Sequence, residues 1–177
     1  MDFGAWDINV TVDAMPEQIA TAFAKLSILK GAEYTPIAYL GSQVANGIKH
    51  AVLAEQTLIT GKDQKNIVLV IFRQVGDDVE LPYIERVLES GGECGGVKVD
   101  VKVPTPPEAV AVLDKALSSY VGLDAKPFAL LGTQVVKGVN YFIACEVTPV
   151  VKGGAPSEIA MIMVNPLSSD IDYTVII

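Results

Sequence analysis

The chain has 177 residues, half of them hydrophobic and 19% charged, a balance that excludes a disordered protein and can fill one large core or two modest ones. The formal charge is −8, with seven Lys and Arg against twelve Asp and Glu in residues 1–91 and six against nine in residues 92–177. Neither part has a basic cluster or an apolar run of membrane-spanning length, which argues against nucleic acid and membranes as partners.

Met1-Asp2-Phe3 lacks the basic start and apolar run of a signal peptide. The expected location is therefore the cytoplasm, or outside the cell if an export signal has been removed. Trp6, Ile8, Val10 and Val12 then alternate with mostly polar residues, which predicts a strand with one buried face. Ile19, Ala22, Phe23, Leu26 and Leu29 recur at three- and four-residue spacing and predict an amphipathic helix that Gly31 stops. Two extended runs follow, pivoting near Asn46-Gly47, a dipeptide suited to a tight hairpin. A polar turn at Gly61-Lys62-Asp63 leads to a strand over Ile67 to Phe72, and Gly76-Asp77-Asp78 leads to a last strand over Tyr83 to Leu88. Ser90 to Gly96 holds four glycines and reads as a flexible joint.

From Val97 the same order begins again. Val97, Val99, Val101 and Val103 alternate as the first strand does. Thr105-Pro106-Pro107-Glu108 predicts a capping box, the threonine hydroxyl accepting from an early amide of a helix that carries Val110, Leu113, Leu117 and Tyr120 and stops at Gly122. Two runs, Pro127 to Val136 and Val139 to Val150, pivot near Lys137-Gly138. Strands over Ile159 to Val164 and Ile171 to Ile176 complete the set, joined by Asn165-Pro166-Leu167-Ser168.

The second half repeats the first in letter as well as in order. At an offset of 91, identities fall at Pro16/Pro107, Glu17/Glu108, Gly31/Gly122, Pro36/Pro127, Gly41/Gly132, Gln43/Gln134, Val44/Val135, Gly47/Gly138 and Glu55/Glu146, among others. These pairs include the glycines and prolines that fix backbone geometry, so the chain is two copies of one domain, residues 1–91 and 92–177. The fold expected for each is α+β, an antiparallel sheet wrapped around one helix.

Few residues suggest chemistry. Cys94 and Cys145 have no counterparts in the first copy, which favours two free thiols over a disulfide expected once per repeat. His50 stands where the second copy has Tyr141, so a repeated active site cannot use it. No cluster with metal-ligand spacing, phosphate loop or dinucleotide fingerprint occurs, so neither a metal nor a cofactor is expected. Glu55 and Glu146 are the one matched carboxylate signal. A solvated strand position is the simpler reading, and a hotdog-like thioesterase, which also wraps a sheet around a helix, is the enzymatic one. Cys94 between glycine pairs has no nearby base to activate it.

The order strand, helix and four-stranded meander resembles the cystatin fold, and the loop sequences resemble it further. Gln134-Val135-Val136-Lys137-Gly138 matches the Q-x-V-x-G motif of cystatins, and Asn140-Tyr141 after it is similar to the stefin branch. Gln43-Val44-Ala45-Asn46-Gly47 keeps the Gln and Gly and has Ala where the motif has Val. The resemblance implies two tandem cystatin-like domains. In that family a trunk glycine, the Q-x-V-x-G hairpin and a second hairpin form a wedge that plugs the cleft of papain-like cysteine proteases. Carried onto this chain, the wedge is Gly95, Gly96, Gln134 to Gly138 and Pro166-Leu167 in the second copy. In the first it is Gly4 and Gln43 to Gly47. The second turn lacks the Trp of secreted cystatins, and their paired disulfides are missing too. The expected partner is a papain-like protease, met mainly by the second domain, without catalytic residues. The alternative is a non-inhibitory protein-binding or scaffold module on the same fold. The resemblance also implies a monomer or a strand-swapped dimer.

Overall fold

A computed structural model describes residues 4–26, 31–60, 62, 64–80, 83–92, 94–168 and 170–177. The chain divides into two compact units, Met1–Glu89 and Ser90–Ile177, two residues before the expected division. The architecture is α+β, with one antiparallel sheet and one helix in each unit among the described residues.

The first unit runs β1 (Asp7–Thr11), α1 (Glu17–Leu26), β2 (Ala32–Val44), β3 (Ile48–Leu58), β4 (Gln64–Val75), the two-residue β5 (Asp78–Val79) and β6 (Tyr83–Glu89). Its strands follow the order β1-β2-β3-β4, with β5 and β6 both paired to β4. The second unit runs β7 (Val97–Lys102), α2 (Pro107–Leu117), β8 (Leu123–Val136), β9 (Gly138–Pro149), β10 (Glu158–Val164) and β11 (Ile171–Val175). Its sheet order is β7-β8-β9-β10-β11, the same meander.

Each helix lies on its sheet because its apolar stripe has nowhere else to go. Ile19, Ala22, Phe23 and Leu26 share a buried cluster with Val52, Val68, Val70 and Phe72, and the Phe23 and Phe72 rings meet edge-on with centroids 5.8 Å apart. Ala109, Leu113 and Ala116 do the same with Leu130, Ile143, Cys145 and Ile162. The strands are also apolar at alternate positions: Leu53, Ile67 and Leu69, and Leu131 and Ile159, are fully buried.

Two local expectations are corrected. The capping box does not form: Pro106, extended at φ −61° and ψ 146°, takes the N-cap position. Thr105 therefore sits one residue too early, and its buried hydroxyl oxygen finds no partner. The second helix ends at Leu117 with Ser118 as its cap, because Tyr120 and Val121 are exposed and nothing anchors a further turn. Gly122, at φ +108°, serves the turn into β8 instead. In the glycine-rich joint Gly91 N–H donates to Val97 O at 3.1 Å, and a Cβ on Gly96 would lie 2.1 Å from Gly92 O, a close approach that glycine permits; Glu93 lies outside the described residues. The turn at Gly61-Lys62-Asp63 and the start of the helix-stop segment before Gly31 lie partly outside the described residues.

Candidate functional site

In the second unit β8 and β9 close a hairpin with Val135 opposite Val139 and Val136 opposite Gly138, leaving Lys137 at the apex as an exposed cation. Gly138 has φ +87°, and a Cβ on it would lie 2.9 Å from Asn165 Oδ1 and 3.1 Å from Leu167 Cδ1. Glycine is required here because the turn after β10 packs directly on the hairpin.

A chain of carboxamides joins three segments that are distant in sequence. Gln134 donates from Nε2 to Gly95 O at 2.8 Å and accepts at Oε1 from Asn140 Nδ2 at 3.0 Å. Asn165 donates from Nδ2 to Asn140 Oδ1 at 2.8 Å and to Lys137 O at 3.2 Å, and its Oδ1 accepts from Leu167 N–H at 2.9 Å. Because each amide side chain both gives and takes, the network fixes their orientations as well as their positions. Around it stand Val135, Val136 and Leu167, exposed by 70%, 42% and 68%, beside the exposed Pro166. Together they make this exposed apolar edge a candidate binding surface. Behind Leu167 a hollow of about 320 Å³ opens between Lys115, Ser118 and Ser119 at the end of α2 and the Asn165–Ser168 turn.

The first unit keeps the trunk bond and changes the rest. Gln43 donates from Nε2 to Gly4 O at 2.7 Å. Asn46 and Gly47 both take positive φ, 47° and 108°, and this two-residue twist turns Ala45 inward to 8% exposure. Val44, Ile48 and Val75 are the exposed apolar residues, at 74%, 41% and 47%. Behind them Tyr39 hydroxyl meets His50 Nδ1 at 2.9 Å, His50 Nε2 meets Gln74 Oε1 at 3.3 Å, and Gln74 donates to Gly76 O at 3.0 Å. Burial pushes the His50 pKa below its ordinary value, against the hydrogen bond to Gln74 Oε1, which raises it.

Gly95, Gln134 to Gly138, Pro166 and Leu167 thus come together on one edge of the second unit, and Gly96 belongs to the loop that delivers Gly95. Gly4, Gln43, Val44, Asn46 and Gly47 come together in the first, where Ala45 is buried. Sequence reasoning missed Asn140 and Asn165, which bind the second tip together, and Ile48, Gln74 and Val75 in the first. The only sequence signal was two asparagines flanking the hairpin and the turn.

Glu55 pairs with Lys65 at 2.9 Å. Cys145 is buried, which pushes its thiol up to about 12, while Cys94 is exposed, and both are free. Among the described residues no group of three His, Cys, Asp or Glu is arranged to hold a metal ion, and no helix is long and apolar enough to cross a membrane. No protein-family model, curated protein or solved structure matches the chain.

Proposed function

We propose that the protein is a reversible, wedge-type inhibitor of papain-like cysteine proteases, built from two tandem cystatin-like domains and acting mainly through the second. The observation that carries this reading is the single hydrogen-bonded network, through Gln134, Asn140 and Asn165, that holds Gly95, the Gln134–Gly138 hairpin and Pro166-Leu167 on one edge with Val135, Val136 and Leu167 exposed. Burying each of those side chains in a protease cleft contributes about 1.5–3 kcal/mol before ordering costs. The network lowers those costs, because the three segments are already fixed relative to one another. Such a wedge needs no nucleophile, metal or cofactor. It blocks the cleft on both sides of the protease's thiolate and offers no peptide bond in attack geometry.

The test is a titration of papain with the purified protein, followed by hydrolysis of a small peptide substrate. Tight, reversible inhibition is expected, and Val136→Asp is expected to weaken it about a hundredfold by forcing a carboxylate against an apolar wall. Inhibition unchanged by Val136→Asp and Val135→Asp overturns the reading. A second reading, a non-inhibitory protein-binding or scaffold module on the same fold, is favoured by the buried Ala45, which leaves the first tip with a different apolar surface. No inhibition at micromolar protein selects it.

A further inference from the structure

Among the described residues the two sheets have four edge strands of five residues or more, and three of them carry the devices that keep sheet edges from pairing with other chains. β1 shifts register against β2 between Ile8 and Thr11 and holds Asp7. β6 shifts register against β4 and holds Glu85, Arg86 and Glu89. β7 shifts register against β8 and alternates Lys98, Asp100 and Lys102. β11 differs in where its irregularity lies. Its five residues pair with β10 without a break, Ala160 with Val175 through Val164 with Ile171, and Asp172 is its only charge; the ladder becomes irregular only beyond it, where the N–H groups of Ile176 and Ile177 both reach Ile159 O.

The direction of its free backbone groups follows from the ladder. Ile176 N–H donates to Ile159 O at 2.7 Å, so Ile176 points its amide inward. In an antiparallel ladder this alternates, so Thr174 and Asp172 also bond inward, while Ile171, Tyr173 and Val175 direct their N–H and C=O groups away from β10. Among the described strands β11 pairs with β10 alone.

We propose that β11 pairs antiparallel with β11 of a second copy, making a two-fold dimer through one continuous sheet. The sequence is self-complementary in that register. Centred on Tyr173, the pairing sets Ile171 against the partner's Val175 and Asp172 against the partner's Thr174, a carboxylate facing a hydroxyl that can donate to it. No like charges meet. Tyr173 is already held in place by its hydroxyl bond to Glu158 and by packing on the helix-side core, so the strand enters the pairing ordered. The other edges offer no such match, since each breaks its own register.

The experiment is sedimentation velocity from micromolar to sub-millimolar protein, on the full chain and two variants. A concentration-dependent dimer is expected. Val175→Pro removes an N–H that the β10 ladder does not use, and it is expected to raise the dimer dissociation constant at least about tenfold with unchanged circular dichroism. Thr174→Asp changes only an exposed side chain, and it sets two carboxylate pairs face to face, with a further expected loss of about tenfold. A monomer at every concentration overturns the proposal, and so does a dimer that both variants leave intact, as a dimer made by exchanging the first hairpin would. None of these outcomes depends on protease binding.

Discussion

The tips of the two units share a backbone plan and differ in what they present. In both, the motif glutamine donates its side-chain N–H to the carbonyl of a glycine 39 residues earlier, at 2.7 Å in the first unit and 2.8 Å in the second. The glutamine is thus part of the scaffold. The difference lies in its neighbours: Val136 and Lys137 are exposed in the second tip, whereas Ala45 is buried and Asn46 stands at the apex in the first. The supports differ too. Carboxamides at Asn140 and Asn165 carry the second tip, and a tyrosine–histidine–glutamine chain lies behind the first. The two tips thus repeat a geometry without repeating a chemistry.

The largest effect is expected where the two units are most alike. A Cβ on Gly41 would lie 2.2 Å from Asp7 O, and one on Gly132 would lie 2.5 Å from Lys98 O, in each case where the first strand of the unit crosses the second. Neither backbone carbonyl can swing away without breaking the edge pairing. Gly41→Ala and Gly132→Ala are each expected to lower stability by about 3 kcal/mol, read by urea denaturation. A loss under 1 kcal/mol in one of them would show that the two crossings are not equivalent.

A smaller effect separates the tips. Asn165→Ala removes two donated bonds and one accepted bond and is expected to cost about 2 kcal/mol, with faster amide exchange at Leu167. Gln74→Ala, with fewer bonds to lose, is expected to cost about 1 kcal/mol. It leaves the second tip's exchange rates unchanged. Equal exchange effects at both tips would break the comparison.

Much of the backbone was legible because its determinants are local. Alternation at Trp6 to Val12 and Val97 to Val103, helical spacing from Ile19 and from Val110, and Asn46-Gly47 and Lys137-Gly138 at the turns each act within a few residues. The trunk glycines and both hairpins were also legible, by repetition. The carboxamide network was not, since Asn165 meets Asn140 across 25 residues and only the β9–β10 register brings them together. The buried Ala45 was hidden for a related reason, because two successive positive φ values rotate the hairpin end in the first copy where the second uses one. Thr105 misled because two prolines displaced the helix start by one residue.

The finest distinction is a pH effect confined to the first tip. Gln74 Oε1 can only accept, so His50 Nε2 carries the hydrogen of that bond, and in the neutral imidazole, the form that burial favours, Nδ1 accepts from the Tyr39 hydroxyl. Burial holds its folded pKa below the unfolded value of about 6.5. A depressed folded pKa means that the unfolded chain takes up the proton first. The histidine's contribution is therefore complete above about pH 6.5 and is lost as pH falls through the folded value. Protonation also puts a second N–H against the Tyr39 oxygen, which must then turn its own hydrogen elsewhere. Between about pH 6.5 and 5, above the range where most carboxylates titrate, the amide NMR shift of Gly76, whose carbonyl accepts from Gln74, is expected to move while that of Lys137 stays constant. The second unit carries Tyr141 in place of the imidazole. His50→Gln is expected to remove the pH dependence at Gly76. If it persists in that variant, some other group loosens the first tip, and the histidine is a packed strand residue with no share in holding the turn.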